Sequence, residues 1–305
     1  MQTVDYLERT DAENVLILNG DAPFIDAATI EDSLSMHISS QNAVTVISAK
    51  IKNPLGYGRI IRDENGNFQS IVEQKDTSDA QKQINEVNSG AYWFDKKCLI
   101  YALSQIKPEN EAHEYYLTDT ISELRKIGKK PGVFMTDNAD VVLGANDRVQ
   151  LMELNGIARR QVLLNLLING VEIPCMDGVV VGTDVEMGAG TLLLPNTIIR
   201  GRSKIGTNCE LGPNCLIDDS IICDEVKLNN TFVESAQIEK GADIGPFDHI
   251  RPNSIIGSRV HIGNFVEVKN SNIGEGTKLP HLSYIGDSDV GREVNFGCGS
   301  LTVNY

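Results

Sequence analysis

The stretch that decides the fold of this chain reads IGPFDH IRPNSI IGSRVH IGNFVE, residues 244–267. An aliphatic residue opens every group of six, which matches neither the period of about 3.6 residues of a helix nor the alternation of a strand. A sandwich of short strands would need alternation and turns of variable length. Hexads of this kind are typical of a parallel β-helix, in which stacked coils bury a core that no single coil could bury.

The hexad register extends through most of the second half and resumes after each interruption. Fifth positions are mostly small or β-branched, as expected if first and fifth positions both face a narrow core. Glycine is frequent at the second position, as at Gly182, Gly206 and Gly257, and we expect a corner with positive φ there. The first positions are Val181, Met187, Leu193, Ile199, Ile205, Leu211, Ile217, Ile222, Leu228, Ile238, Ile244, Ile250, Ile256, Ile262, Val268, Ile273, Leu279, Ile285, Val290 and Phe296.

Composition limits the possible partners. At 305 residues and 41% hydrophobic composition, the chain is long enough for two domains. A net charge of −15 argues against binding to nucleic acid or to a membrane surface, because such proteins carry basic patches. The sequence has no stretch of transmembrane length and no signal-peptide pattern at its start, so it predicts a cytoplasmic protein.

The first half predicts an α/β domain. Residues 15–19, VLILN, form an apolar run closed by Gly20 and Asp21, which indicates a buried parallel strand ending in a polar loop. Ligands of open α/β sheets bind at such strand ends. Further strand-like runs with helical patterns between several of them predict a mixed sheet, and they lie at 43–49, 58–63, 68–74, 89–94 and 133–137.

A long helix is predicted between the two halves. Apolar residues at helical spacing follow Asn146 and Asp147, either of which suits an N-cap, and Gly170 suits the C-terminal stop. Gly156 inside this segment costs up to about 1 kcal/mol relative to alanine. The pattern still favours a helix that joins two domains.

Ten segments in one order resemble a known family. Together they resemble the bifunctional bacterial enzymes N-acetylglucosamine-1-phosphate uridyltransferase/glucosamine-1-phosphate N-acetyltransferase, over nearly the whole chain. Any one segment alone is a weak signal, and the specificity comes from their common order across two domains. The segments are LNGDAPFI (18–25), NPLGYGRIIRDENG (53–66), IVEQKD (71–76), EVNSGAYWF (86–94), EYYLTD (114–119), GANDRVQL (144–151), IGPFDHIRPNS (244–254), GNFVEVKNS (263–271), PHLSYIGD (280–287) and NFGCGSLTVNY (295–305).

The resemblance implies a domain organisation. It gives a partial Rossmann-like nucleotidyltransferase (uridyltransferase) domain in residues 1–145, a linker helix in 146–170 and a left-handed β-helix acetyltransferase domain in 171–305. Relatives begin with a further strand and a glycine-rich nucleotide loop, and they continue through further coils. We therefore expect a fragment truncated at both ends and weakened in both activities.

The resemblance also implies a two-step activity. Acetyl-CoA acetylates glucosamine 1-phosphate, and UTP then uridylates N-acetylglucosamine 1-phosphate with release of pyrophosphate, which yields UDP-N-acetylglucosamine for peptidoglycan and lipopolysaccharide precursors. The implied partners are these small molecules and the other copies of a homotrimer, with neither nucleic acid nor membrane.

For uridyl transfer, the resemblance implies that Asp21 and Asn146 bind Mg²⁺, which prefers hard oxygen ligands from protein and phosphate. Singly, these are ordinary turn or helix-cap residues, and Asn19 stands where many relatives have tyrosine. The implied substrate contacts are Asn19, Gly20, Asp21, Gly58, Glu73, Asn88 and Asn146.

For acetyl transfer, the hexad register adds an inference of its own. Three hexads make one coil, so Arg251 and Lys269 stack on one corner about 4.8 Å apart, and Gly286 follows with room above them. Glu267 and Tyr284 stack beside that corner. Two stacked cations without an acid between them would repel, so we interpret Arg251 and Lys269 as a clamp for a sugar phosphate.

Other roles in acetyl transfer come mainly from the resemblance. His281 is the implied general base, because imidazole titrates near neutral pH and can take the amine proton. Tyr284 contacts the sugar phosphate, and Glu267 orients the amine or the histidine. Asn295 belongs to a different column and is expected to reach the site from a neighbouring chain. The implied acetyl-CoA contacts are Cys298, Asn304 and Tyr305.

Three other functions stay open. One is a single-activity sugar-phosphate nucleotidyltransferase with a non-catalytic β-helix, which the set of polar residues around Arg251 and His281 disfavours. Another is a zinc-dependent β-helix hydratase, but His249 and His261 lie two hexads apart and so on different faces. The third is a non-catalytic scaffold.

Overall fold

A mixed sheet organises the first of two units, Met1–Leu154 and Asn155–Tyr305, into which the chain divides. The computed structural model describes residues 3–108 and 115–303. The division into 1–145, 146–170 and 171–305 stays a prediction. Among the described residues, no helix combines the length and apolar character needed to cross a membrane.

In the described part of the first unit, six strands and four helices precede the long helix. The strands are β1 (Asn14–Ile17), β2 (Val44–Lys50), β3 (Arg59–Arg62), β4 (Phe68–Val72), β5 (Glu86–Asp95) and β6 (Pro131–Thr136). The helices are α1 (Val4–Arg9), α2 (Ala27–Ser39), α3 (Lys96–Gln105) and α4 (Asp119–Lys126), with short 3-10 turns at Gln74–Asp76, Gln81–Gln83 and Ala139–Val142.

The sheet runs in the order β4-β3-β5-β2-β6, with β1 also beside β5. Among the strands of residues 3–108 and 115–154, β2 and β6 pair in parallel and the other pairs are antiparallel, so the predicted mixed sheet is confirmed. Val44 and Phe94 are fully buried in the core of this unit, where Leu99 of α3 packs against them.

The expected direction and burial of the first strand were wrong. β1 pairs antiparallel with the end of β5, Val15 opposite Phe94, and its residues are only half-buried. A continuous apolar run indicates a strand, but it does not encode the direction of the partner, because that partner lies far along the chain and is chosen by the tertiary fold. β1 still ends just before Gly20 and Asp21, as expected.

The long helix α5 spans Arg148–Ile168, where helical spacing predicted it. The Gln150 N–H donates to Asp147 Oδ1 at 2.8 Å, so Asp147 is the residue that caps the first turn. Gly170 ends the helix with a φ of 87°, and the Val171 N–H closes the last turn by donating to the Leu166 carbonyl at 3.0 Å.

The second unit is a left-handed parallel β-helix, as predicted. Its short strands pair in parallel with strands one coil away and form three ladders. The first ladder contains Val180–Val181, Ile198–Arg200, Leu216–Asp218, Thr231–Glu234 and Asp248–Ile250. The second contains Glu186–Met187, Lys204–Ile205, Ile221–Ile222, Gln237–Ile238, Ile255–Ile256, Asn272–Ile273 and Asp289–Val290. The third contains Leu192–Leu193, Glu210–Leu211, Lys227–Leu228 and Asp243–Ile244, and two longer strands, His261–Lys269 and Lys278–Gly286, link it to the first.

The hexad register predicts which side chains fill the solenoid core. First positions such as Leu211, Ile250 and Leu279 are fully buried, although Met187, Val290 and Phe296 near the ends are only partly so. Side chains at the fifth positions are also buried, and at several of these positions the hydroxyl group of a serine or threonine binds the backbone of a neighbouring coil. Thr191 Oγ1 accepts the Cys209 N–H of the next coil at 3.1 Å, and Thr277 Oγ1 accepts the Val294 N–H at 3.2 Å. Serine and threonine thus satisfy backbone donors that would otherwise be buried without a partner.

The expected positive φ at second-position glycines is confirmed at Gly212 and Gly245, with φ of 111° and 121°, but was wrong at Gly182, Gly206 and Gly257. Gly206 and Gly257 do not have positive φ, and that conformation falls mainly on the fourth position, as at Asn196 and Asn214. A Cβ on Gly206 would lie 2.6 Å from the Asp224 nitrogen of the next coil, and one on Gly257 would lie 2.7 Å from the Ile273 oxygen. Glycine is required at these two positions because neighbouring coils approach closely, a constraint that spacing along one coil does not reveal.

Candidate functional site

A cleft of about 370 Å³ in the first unit collects residues from distant segments of the chain. Its predicted members are Asn19, Asp21, Gly58, Glu73, Asn88 and Asn146. Gly20 lies beside it and lines an adjoining depression together with Asp21 and Asn146. The structure therefore brings together all seven residues that were expected to meet the sugar nucleotide, while their individual roles stay predictions.

Two loops form the end of the cleft where the metal ligands were expected. The Ala145 N–H donates to the Asp21 carbonyl at 3.1 Å, which holds the loop after β1 against the segment before α5. Both Asp21 and Asn146 are exposed and line the same cleft. Two hard oxygen donors beside open space fit Mg²⁺, which commonly takes its other ligands from phosphate and water. The described residues contain no cluster of three or more His, Cys, Asp or Glu side chains suited to a metal.

Asn88 also lines the cleft, and its neighbours hold it in place. Its Nδ2 donates to the Tyr92 hydroxyl at 2.6 Å, and its Oδ1 accepts the Gly90 N–H at 3.0 Å. Burial raises the pKa of Tyr92 above its ordinary value, so this hydroxyl is neutral when it accepts the amide hydrogen. The contacts fix the orientation of the Asn88 amide.

Glu73 lies at the end of β4 next to Gly58. Its carboxylate is the closest polar group to the position a Cβ on Gly58 would take, 3.3 Å from Oε2, so glycine leaves room for it. Burial raises the pKa of Glu73, and a 3.4 Å hydrogen bond from Thr118 Oγ1 opposes that shift. A carboxylate placed in this way can accept hydrogen bonds from hydroxyl groups.

Several cleft residues were not assigned a role from the sequence. Tyr92 and Thr118 orient the two residues described above, and Tyr57 and Tyr116 also line the cleft. All four lie inside segments that carried the family resemblance, so the motifs contained the signal, but the contacts depend on folding.

In the solenoid, the predicted stacking is present. Arg251 donates its backbone N–H to the Val268 carbonyl at 2.8 Å, which sets it one coil from Lys269, and Lys269 pairs with Gly286. Glu267 pairs with Tyr284 on the adjacent column. Register alone placed these residues correctly.

The interpretation of unpaired cations was wrong. Arg251 Nη1 lies 2.7 Å from Glu267 Oε1, and Lys269 Nζ lies 3.6 Å from Asp287 Oδ2. Both pairs are partly exposed, so they are weak and open to competition by another anion. The space above Gly286 is also taken, because a Cβ there would lie 2.7 Å from ring carbons of Tyr284. The hexad register predicted which residues are neighbours along a column. It did not predict that the acidic residues Glu267 and Asp287, which lie beside the column, pair with the two cations.

The remaining predicted residues are more dispersed. His281 is exposed and lies three residues before Tyr284 on the same strand, where it pairs with Asn264. Asn295 pairs with Lys278 at the other end of that strand, and Cys298 is exposed. The expected acetyl-CoA contacts Asn304 and Tyr305 lie outside the described residues.

Comparison with known proteins gives consistent matches. The nucleotidyl transferase family matches residues 1–141. A "Bifunctional protein GlmU" from Thermoanaerobacter pseudethanolicus is 46% identical over 96% of this chain and 64% of its own length. The protein of the same name from Acetivibrio thermocellus is 43% identical over 100% of this chain and 66% of its own length.

Two further matches complete the comparison. "Bifunctional protein GlmU" from Streptococcus thermophilus is 42% identical over 95% of this chain and 63% of its own length. The chain therefore spans slightly less than two thirds of these curated relatives. A solved structure from Bacillus anthracis, a putative glucose-1-phosphate thymidylyltransferase, covers 52% of this chain and 58% of its own, with a TM-score of 0.39 and 18% identity.

Proposed function

Because this chain belongs to the bifunctional GlmU family, with 46% identity over 96% of its length, we propose that it contributes to both steps of UDP-N-acetylglucosamine synthesis. The first step transfers the acetyl group of acetyl-CoA to glucosamine 1-phosphate. The second joins N-acetylglucosamine 1-phosphate to UTP with release of pyrophosphate, and its product feeds peptidoglycan and lipopolysaccharide precursors. The observation that carries the proposal is the cleft that gathers Asn19, Asp21, Gly58, Glu73, Asn88 and Asn146 from separate segments.

For uridyl transfer, this chain's residues bind and orient the substrate. Asn88, fixed by Tyr92, offers an amide to the acetamido group, and Glu73 accepts hydrogen bonds from sugar hydroxyls. Asp21 and Asn146 would hold Mg²⁺, which when bound supplies positive charge against the phosphates. In-line phosphoryl chemistry depends mainly on such positioning and electrostatics.

For acetyl transfer, His281 takes the proton of the glucosamine amine as it attacks the thioester. Arg251 and Lys269 exchange their contacts with Glu267 and Asp287 for the phosphate of the sugar. Glu267, released from Arg251, is then free to orient the amine. Cys298, Asn304 and Tyr305 contact acetyl-CoA.

The experiment that tests this function measures acetylation of glucosamine 1-phosphate and UTP turnover separately. We expect His281→Ala to lower acetylation by about 10²–10⁴-fold with folding intact, since the side chain is exposed. His261→Ala is the matched control, because His261 is also exposed on the solenoid but pairs with Asp243. Uridyl transfer without acetylation would instead support a single-activity nucleotidyltransferase.

We further propose a homotrimer in which a neighbouring copy supplies Asn295. One corner of the solenoid supports contact between copies: Phe247, Phe265 and Leu282 stack there with exposed fractions of 59%, 53% and 55%. All three have positive φ, where asparagine or glycine is ordinarily favoured, and earlier coils place Asn214 and Asn230 at this corner.

Mixing two inactive variants tests the shared site. Lys269→Ala and Asn295→Ala chains, combined after dissociation, should regain acetylation, because some sites then receive both intact residues. Sedimentation checks assembly in parallel, and a monomer at all concentrations would contradict the proposal.

A further inference from the structure

Arg59 is buried beside the cleft, and no carboxylate among the described residues pairs with it. It follows Gly58, is 1% exposed and is among the largest side chains of the chain that are fully buried. None of the salt bridges in the part of the chain that the structure describes includes it. Buried cations are normally paired, because removing a charge from water is costly. This arginine therefore requires an explanation beyond core packing.

Its guanidinium connects two segments of the cleft wall. Nη2 donates to Gln74 Oε1 at 2.9 Å, and Nη1 donates to the Tyr57 carbonyl. The same Gln74 oxygen accepts the Gly56 N–H at 3.0 Å. Arg59 Nε has no partner. One side chain thus ties the segment after β4 to the turn before β3.

That turn forms part of the cleft itself. Leu55, Gly56, Tyr57 and Gly58 all line it. Within the turn, the Tyr57 N–H donates to the Pro54 carbonyl at 3.2 Å, and Gly56 has a φ of 90°. Leu55 is 71% exposed, so little packing restrains the tip of the turn. Tyr57 packs against the buried cluster that contains Val87, and the Gly58 carbonyl accepts the Asn88 N–H at 2.9 Å. The polar contacts from Arg59 and Gln74 add the attachment between the turn and the segment after β4.

We propose that Arg59 is a positioning residue that holds the wall at residues 55–58 in the shape that receives the sugar nucleotide. The identity of that ligand rests on the proposed function, whereas the anchoring of the wall does not. Arginine suits this task because its planar fork satisfies two acceptors at fixed angles, which a lysine ammonium does not reproduce. A phosphate-bearing ligand in the adjoining cleft would also reduce the cost of the buried positive charge.

The test combines two measurements on the full chain. Amide hydrogen exchange of peptides covering 53–58 reports local opening of the wall. Calorimetric titration with UDP-N-acetylglucosamine reports binding. The variants are Arg59→Lys, which keeps the charge, and Arg59→Met, which removes it. Leu99→Ala is the stability control, because Leu99 is buried in α3 and does not line the cleft.

We expect exchange at 53–58 to accelerate about tenfold in both arginine variants, with weaker binding of UDP-N-acetylglucosamine, while Leu99→Ala lowers the melting temperature without a selective change at 53–58. Adding Gln74→Leu to Arg59→Lys should accelerate exchange by less than the two separate effects combined, since both residues act through one contact. Unchanged exchange at 53–58 in the arginine variants would overturn the proposal. Absence of binding by the wild-type chain would count against uridyl transfer alone, because the exchange measurement still decides the role of Arg59.

Discussion

Each unit buries one carboxylate among its described residues, and the two carboxylates differ in the hydrogen-bond donors that compensate their charge. Glu86 in the α/β unit is 6% exposed and accepts hydrogen bonds from Arg62 Nε, Arg62 Nη2 and Ser48 Oγ, all at 2.7 Å. Asp248 in the solenoid is 4% exposed, and its Oδ1 accepts the Val266 N–H at 2.8 Å while Oδ2 has no partner. The buried carboxylate in the sheet is therefore paired with a cation, Arg62, whereas the buried carboxylate in the solenoid has none beside it among the described residues.

The difference follows from geometry. Three strands of the sheet bring the side chains of Ser48, Arg62 and Glu86 to one point. The solenoid core is narrow, and its fifth positions suit small residues or hydroxyls that both accept and donate. A charged carboxylate at Asp248 can accept but not donate. Of the titratable side chains nearby in the solenoid, Asp243, His249, His261 and Glu267 lie at outward sixth positions of their hexads.

The opposite environments predict opposite responses to pH. Burial raises the pKa of Asp248 from 3.8 to about 7, against two backbone hydrogen bonds. Burial also favours a raised pKa for Glu86, but the hydrogen bonds from Arg62 and Ser48 outweigh it and leave the pKa below its ordinary value. Neutral pH should therefore strain the solenoid and favour the α/β unit.

The largest expected effect is the pH dependence of the solenoid. The neutral form of Asp248 contributes its whole stabilisation below pH 3.8, the ordinary pKa of this carboxyl. That contribution decreases as pH rises and is absent above a pH of about 7. The free energy of unfolding should fall by an amount on the order of 4 kcal/mol over this range. Hydrogen exchange of solenoid peptides as a function of pH measures it.

Asp248→Ser provides the control, because serine at other fifth positions accepts the same backbone donor and supplies a hydroxyl hydrogen. This variant should be more stable than the wild type at neutral pH and should lose the pH dependence. A wild-type solenoid whose stability is unchanged between acidic and neutral pH would show that Asp248 ionises without cost.

The α/β unit should show the reverse trend with a smaller magnitude. Stability from ionised Glu86 is present above its ordinary pKa of 4.5 and is lost as pH falls through its lowered value in the folded state. Glu86→Gln should cost about 2 kcal/mol at neutral pH, because it leaves charge-assisted donors of Arg62 without an ionised acceptor. Denaturant unfolding followed at Trp93, the one tryptophan, measures this in the first unit. Equal unfolding of the variant and the wild type would remove the distinction between the units.

The third comparison between the units concerns two glycines. Gly257→Ala should destabilise the solenoid by about 1–3 kcal/mol, since its Cβ would lie 2.8 Å from the Glu275 nitrogen. Gly156→Ala in α5 meets nothing within 4 Å and should stabilise by up to about 1 kcal/mol. Thermal melts of both variants compare the two directly. A neutral Gly257→Ala would mean that the coils can separate at little cost.

The two units also differ in how much their sequences predicted. In the solenoid, a linear register was enough to place Arg251 beside Lys269 and Glu267 beside Tyr284, because each coil repeats the path of the previous one. The register did not predict the contact between Asp287 and Lys269, because Asp287 follows the corner of the coil and lies outside the stacked column. In the α/β unit, the motifs identified candidate residues, but no spacing rule related Asp21 to Asn146.

The sequence by itself determined the six-residue period, the buried first and fifth positions, the extent of the long helix and the family to which the chain is similar. The first three properties depend on local periodicity, and the family resemblance depends on short motifs in a fixed order along the chain. The tertiary structure decided the direction of β1, the close stacking behind Gly206 and Gly257, the acids that pair with Arg251 and Lys269, and the anchoring of the cleft wall by Arg59. Those features depend on atoms from segments far apart in the chain, and only folding sets the distances between them.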